Sequence, residues 1–419
     1  VTVSFGQFVA SAGRLVVQPR MGFSDPRQMR SGLEHTKFAA ATTVGTLTLD
    51  SYTRVGDHDS ARRAVADGVA LNGYPIVTYP VELTRELLAG VADETFPVQV
   101  RHGSSRPQRI IRALTAAGLD ATEGGPVSYC LPYGRTPLRD SVASWAESCE
   151  LLARLVEPGR VPHLESFGGC MLGQLCPPSL LVAISVLEGL FFTQHGIDSI
   201  SLSYAQQTDP TQDEEAIRAL RRLGAEFLPV RADWHVVVYT YMGVYPLSAA
   251  GARRLLETSA ELAVRSGAQR LIVKTVAEAH RIPTIEENVR ALETAATVAV
   301  MTTVDSARSG PDTGIYAEAR TFVEAVLELH PDAGAALLAA FSRGYLDIPY
   351  CLHPDNAGLS RSYIDDAGWL RWSAAGRMPI RPAAAPRDSA GMSPARLLSA
   401  LNHVARKFDH SSQEARCIP

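Results

Sequence analysis

Cysteine is scarce. The 419 residues hold six (Cys130, Cys149, Cys170, Cys176, Cys351 and Cys417) and no CxxC. That is too sparse for a disulfide scaffold, and no histidine pair has zinc-site spacing, so no metal site is expected. A basic surplus is also missing: 40 Lys+Arg stand against 44 Asp+Glu, for a net charge of −4. This balance argues against a nucleic-acid partner. Long apolar runs are absent too. The most apolar stretch, Leu180–Phe192, contains Glu188 and falls short of the ~20 residues that span a bilayer. It reads as a buried helix. The opening residues, Val1-Thr2-Val3-Ser4-Phe5, carry neither the basic start nor the apolar run of a signal peptide, so the expected location is cytoplasmic. No GxGxxG or GxxxxGK[ST] loop occurs. What is present is 46% hydrophobic and 20% charged residues, a composition that builds a sizeable core.

Short apolar runs alternate with helical patterns. Candidate strands are 15–18, 46–49, 76–78, 97–100, 127–130, 163–165, 199–203, 236–239 and 271–273. Helical patterns cover 59–69, 107–117, 141–155, 179–194, 213–227 and 248–266. The rhythm implies parallel strands with helical crossovers, and a recurrence of ~30 residues matches an eight-fold βα barrel. Nine candidates for eight places mean that at least one is misplaced or lies outside the barrel. After Lys274 the pattern changes to helices at 285–303, 316–341 and 394–408, with a Pro/Ala/Gly-rich segment at 374–394. The expected architecture is a TIM (β/α)8 barrel over residues 1–283 and a C-terminal, mainly helical extension over 284–419 packed on it.

Polar residues stand at the predicted strand ends. Gln18-Pro19 runs into Arg20, Leu49-Asp50-Ser51-Tyr52-Thr53 into Arg54, and Gln99-Val100 into Arg101-His102-Gly103. In a barrel these ends share the face where active sites lie. Three guanidiniums gathered there suit a small substrate with more than one carboxylate, since each can grip a carboxylate with two parallel hydrogen bonds. Glu123, before Gly124-Gly125, could accept from a substrate ammonium. Plainer readings stand beside these. Each arginine could be a surface ion-pair partner, and Tyr129 and Tyr133 could be rim aromatics. Lys274 and Glu278 have the i,i+4 spacing of an ordinary helical pair, and Glu165 reads as a structural strand-end acid.

An ordered set of motifs then carries a resemblance. Gln18-Pro19-Arg20-x-Gly22, Ser51-Tyr52-Thr53-Arg54, Leu71-Asn72-Gly73-Tyr74-Pro75, Arg101-His102-Gly103, Glu123-Gly124-Gly125, Ser128-Tyr129-x-x-Pro132-Tyr133 and Val273-Lys274-Thr275-x-x-Glu278-Ala279 occur in this order. Together they resemble the large (epsilon) subunit of adenosylcobalamin-dependent glutamate mutase, also called methylaspartate mutase. The likeness continues through Met242-Gly243, Ile282-Pro283-Thr284, Asp347-Ile348-Pro349 and Asn356-Ala357-Gly358.

The resemblance implies an isomerase working by a radical mechanism, which abstracts hydrogen from C4 of L-glutamate and moves the glycinyl fragment to give L-threo-3-methylaspartate. It implies that Arg20, Arg54 and Arg101, with His102 beside them, clamp the substrate carboxylates. Glu123, Tyr129 and Tyr133 would surround the amino group. Gly22, Asn72, Pro132, Tyr245, Lys274, Glu278 and Ile282 would line the adenosyl group or corrin. It further implies a separate small (sigma) subunit carrying the cobalamin, within a heterotetramer containing two copies of this chain. In agreement, this chain has no complete DxHxxG: Asp233-Trp234-His235 begins it, but Val238 stands at the glycine.

The chain departs from the family at Val238-Tyr239-Thr240-Tyr241-Met242-Gly243-Val244-Tyr245-Pro246, where the family reads Phe-His-Gln-Trp-Met-Gly-Gly-Phe-Pro, and at Ser166-Phe167-Gly168. Two rival readings follow: a divergent mutase for another amino dicarboxylate in a biosynthetic pathway, and a non-catalytic paralogue that binds an acidic amino acid.

Overall fold

The computed structural model describes residues 4–132, 134–157, 159–168, 175–304, 312–382 and 393–414, the last four by backbone alone. Eight parallel strands form one nearly closed ring: β1 (Val16–Gln18), β2 (Gly45–Thr48), β3 (Val98–Arg101), β4 (Ala121–Glu123), β5 (His163–Glu165), β6 (Ser199–Ala205), β7 (Asp233–Tyr239) and β8 (Arg270–Ile272). From β2 to β8 each pairs in parallel with the next, and β8 pairs in parallel with β1, which leaves a gap between β1 and β2. A bridge between Val17 and Thr43, just before β2, draws the last gap together. The expected barrel is therefore present.

Two strand candidates are corrected. Residues 76–78 and 127–130 are turns, while β4 lies just upstream of the second at Ala121–Glu123. The apolar turn after β4 exists because Glu188 reaches into it from α8 (Pro178–Gln194), accepting from Val127 N–H (3.0 Å), Ser128 N–H (2.9 Å) and Ser128 Oγ (2.8 Å). One charged residue in an apolar helix is thus a turn anchor. Helix α8 is buried almost all round, because it lies between β6 on one side and a second layer of helices on the other. That layer is α12 (Ile315–Leu327) and α13 (Ala333–Arg343). The sequence pattern ran them together as 316–341; Pro331 and the N-cap Asp332, which accepts from Ala335 N–H at 2.7 Å, start a new helix instead.

The division at residue 283 falls in the loop between β8 and α11 (Ile285–Met301), which packs on α10 (Ala249–Ser266) and on α2 (Pro26–Lys37). Beyond it come α12, α13, an antiparallel hairpin of β9 (Arg361–Ile364) and β10 (Leu370–Ala374), α14 (Pro394–Leu401) and α15 (His403–Glu414). The C-terminal part is mainly helical, as expected, with a hairpin that was not foreseen. No helix among the described residues is long and apolar enough to cross a membrane.

The lumen is polar. Arg270, fully buried on β8, contacts Glu165 and Gln18 and donates to Ser201 Oγ (3.0 Å) and His235 Nε2 (3.3 Å). Gln18 bridges to Thr46 and Gln99, each at 2.9 Å. The ring of Phe5, on α1 (Phe5–Ser11), lies 5.0 Å from the Arg270 guanidinium. Every charge here has a partner, which is the condition for burying one.

Candidate functional site

At the C-terminal ends of the strands lies a cavity of about 700 Å³. Its lining includes Arg20, Arg54, Arg101, His102, Glu123, Tyr129, Asn72, Tyr245, Lys274 and Glu278, brought together from the ends of six different strands and the loops after them. Thr48, Phe167, Met242 and Gly243 complete much of the wall.

Local sequence sets each position. Asp50 caps a short helix, α3 (Ser51–Val55), by accepting from Thr53 N–H at 2.9 Å, and this turn carries Arg54 to the rim. Arg101 is the last residue of β3 and is 4% exposed. Its Nε meets Glu123 Oε2 at 2.7 Å, and its guanidinium lies 4.9 Å from the ring centre of Tyr239. Glu123 ends β4 and must be followed by glycine. A Cβ on Gly124 would fall 2.3 Å from Trp145, and its φ is +137°; one on Gly125 would strike the Glu188 carboxyl at 2.2 Å.

Glu123 also accepts from the Tyr129 hydroxyl and from Tyr239 Oη, the latter at 2.9 Å. A carboxylate offers about four acceptor positions. Arg101, Tyr129 and Tyr239 reach it, the last with a single proton that also faces Glu165, so at least one position is left for an incoming ammonium N–H. Burial, opposed by Arg101 and assisted by Glu165, pushes the Glu123 carboxyl above its ordinary pKa. Glu165 is held below its own: burial raises it, but Arg270 and Arg101 outweigh that.

His102 is buried against Trp145, with ring centres 5.8 Å apart. Its Nδ1 accepts from Ser104 N–H at 3.0 Å, so the neutral ring carries its proton on Nε2, which has no partner among the described residues. Burial, then Arg54, pushes its pKa down to about 3. His102 is thus a neutral donor in the field of Arg54. Arg101 Nη1, Arg54 Nε, Thr48 Oγ1 and the Tyr245 hydroxyl are likewise buried without partners. Unpaired buried polar atoms are rare in folded proteins, and clustered ones mark a place for a ligand.

On the other wall, Glu278 Oε1 accepts from both Arg20 Nη1 (2.9 Å) and Lys274 Nζ (3.0 Å). The Lys274–Glu278 pair forms in a turn after β8 and is not helical. Arg20, expected on the substrate side, is tied to Glu278, expected on the cofactor side, so the two halves meet at this carboxylate. Lys274 Nζ lies 4.9 Å from the Tyr245 ring centre. Asn72 accepts from Ser51 N–H (2.9 Å) and Oγ (3.1 Å).

Three expected positions do not line the cavity. Gly22 packs so closely that a Cβ would sit 2.2 Å from the Thr48 carbonyl oxygen, which by itself accounts for the glycine. Pro132 is half-buried at the end of the turn, and Ile282 is 54% exposed. Tyr133 lies outside the described residues. Sequence reasoning missed the supporting roles of Trp145, Glu188 and above all Tyr239. The available signal was the polar content of supposedly apolar central strands: Gln18, Gln99, Glu165 and Arg270.

The fold and the cavity define an α/β-barrel protein whose strand ends gather three arginines, a lysine and two carboxylates around one cavity. Residues 5–391 match the family described as methylaspartate mutase E chain. Curated relatives named glutamate mutase epsilon subunit include that of Haloarcula marismortui, 30% identical over 88% of this chain and 77% of its own. That of Halobacterium salinarum is 31% identical over 88% and 79%. That of Escherichia coli O157:H7 is 29% identical over 88% and 76%. The chain belongs to the methylaspartate mutase E chain, or glutamate mutase epsilon subunit, family.

Proposed function

We propose that this chain is the substrate-binding, catalytic subunit of an adenosylcobalamin-dependent glutamate mutase, converting L-glutamate to L-threo-3-methylaspartate with a small cobalamin-binding subunit as partner. The observation that carries the reading is the convergence of Arg20, Arg54 and Arg101 on one cavity that also holds Glu123 and Tyr129. Guanidiniums stay charged at any working pH, so they can hold both carboxylates throughout a rearrangement. Glu123 would take one ammonium N–H, and the neutral His102 Nε2–H would add a donor to a carboxylate. Phe167 and Tyr129, with ring centres 4.8 Å apart, form an apolar flank that keeps water from a reactive fragment.

The residues present fit the cofactor. Asn72, Tyr245, Lys274 and Glu278 face the same cavity, and the Tyr245 hydroxyl is buried and unpaired. When bound, adenosylcobalamin supplies the radical that abstracts hydrogen from substrate. Lys274 and Glu278 would hold the ribose, while Arg20, shared through Glu278, keeps that wall in register with the substrate.

The test mixes the full chain with a cobalamin-binding small subunit, adenosylcobalamin and L-glutamate and follows 3-methylaspartate by proton NMR. Product supports the reading; no product from a demonstrated complex overturns it. One observation favours a second reading, a mutase for another amino dicarboxylate. Tyr239 replaces the family histidine directly beneath Glu123, the group that would hold the amino end. Turnover of a different amino dicarboxylate in the same assay would select it.

A further inference from the structure

We propose that a second cavity, beside the first, binds a phosphate-like dianion. It measures about 690 Å³ and shares Arg54, Val55, Gly103 and Tyr129 with the substrate cavity. It opens on the same face, because one wall is the start of α6 (Gln108–Ala116), the helix that follows β3.

Three features converge there. First, the lining carries four arginines (Arg54, Arg106, Arg109 and Arg135) against one carboxylate, Glu147, which is engaged by Gln108 at 3.0 Å. Arg106 pairs with Asp140 at 3.1 Å, whereas Arg54 and Arg109 have no acid partner among the described residues. Second, α6 starts at Pro107, which supplies no side-chain cap, so the first-turn N–H groups and the positive end of the helix dipole face the cavity uncapped. Third, Thr53 is 1% exposed and lines the cavity, yet its Oγ1 has no hydrogen-bond partner among the described residues, and neither has His58 Nδ1. The substrate cavity shows the same cluster of unpaired buried polar atoms. Partial burial, then Arg109 and Arg62, lowers the His58 pKa, with Asp50 and Asp57 opposing.

A tetrahedral dianion matches this donor set better than a single carboxylate. Its several oxygens can take backbone N–H groups, a hydroxyl and guanidiniums at once. The source is free phosphate or the phosphoryl group of a small metabolite. Arg54 lines both cavities, so a dianion in one and a substrate carboxylate in the other draw on the same guanidinium. Their binding is therefore antagonistic, and equally so in both directions. This linkage, unlike the dianion site itself, rests on the glutamate reading.

The full chain is titrated calorimetrically with inorganic phosphate, then with phenyl phosphate, at constant ionic strength in chloride. Saturable binding of one equivalent is expected. Arg109→Ala, at an exposed position that touches no acid, should weaken it at least tenfold, and Thr53→Val a few-fold, while glutamate binding in phosphate-free buffer stays as in the wild type. Tighter binding of the ester points to a metabolite, and equal binding to free phosphate. The proposal is overturned if neither anion saturates, if Arg109→Ala leaves their binding unchanged, or if the Arg109-dependent ligand is a second equivalent of glutamate. The phosphate titration needs neither glutamate nor cobalamin, so failure of the mutase reading would show separately as absent glutamate binding with phosphate binding intact.

Discussion

The barrel contains two arginine–carboxylate clusters, one above the other. In the lumen, Arg270 spends its donors on Glu165, Gln18, Ser201 and His235, and no nitrogen is left over. At the mouth, Arg101 satisfies Glu123 with Nε but leaves Nη1 buried and unpaired, with Arg54 Nε and His102 Nε2 in the same state. Both clusters use the same chemistry. Completeness distinguishes them: a closed network holds the fold together, and an open one waits for a ligand. Tyr239 joins the two, its single hydroxyl proton facing both Glu123 and Glu165.

The contrast can be broken from below first. Arg270→Met should leave Glu165 as an uncompensated buried charge and cost about 3–5 kcal/mol of stability, read as a lowered urea midpoint. An unchanged midpoint would mean the lumen network is dispensable.

The next effect concerns the anchor of the mouth. Burial pushes the Glu188 carboxyl up to about 7 from its ordinary 4.5. Between those values the folded chain holds a proton that the unfolded chain has released. Stability is therefore greatest below pH 4.5 from this group and is lost as pH rises to 7, by at most about 3 kcal/mol. Asp213, raised to about 8 by burial, acts in the same direction. Urea unfolding at pH 5 and pH 7.5 should give a smaller difference in Glu188→Gln than in the wild type.

Arg101→Lys keeps the charge but loses the planar fork. A fall in kcat/KM of about 100-fold, equivalent to about 2.7 kcal/mol, is expected with the circular dichroism spectrum retained. Near-normal turnover would remove Arg101 from the clamp. The smallest effect belongs to the residue between the clusters. Tyr239→Phe removes one hydroxyl from two buried carboxylates and should cost about tenfold in glutamate affinity, with KM affected more than kcat. A lowered urea midpoint with KM unchanged would assign Tyr239 to the lumen alone.

Much of this was legible in the sequence, for a physical reason. Arg101 ends β3, Arg20 lies two residues after β1 and Arg54 sits in the short helix after β2, so the barrel rhythm that located these strands placed all three arginines on one face as well. Strand β4 was not legible. The adjacent Val127–Cys130 mimics a strand while its backbone is turned by Glu188, a residue some 60 positions away. The lumen network was hidden in the same way. Which face of β7 carries Tyr239 inward depends on how the ring closes, and no local pattern encodes that.

Helix α8 has one more consequence, for how the chain is made. Among the described residues α12 and α13 lie over its outer face, and about 120 residues separate its end at Gln194 from the start of α12 at Ile315. At ribosomal rates that gap lasts roughly 6–24 s. Throughout that interval a finished, oily cylinder has no lid, and the nascent polypeptide depends on folding helpers or on delayed docking to stay out of trouble. Truncating the gene anywhere before α12 would make that transient exposure permanent.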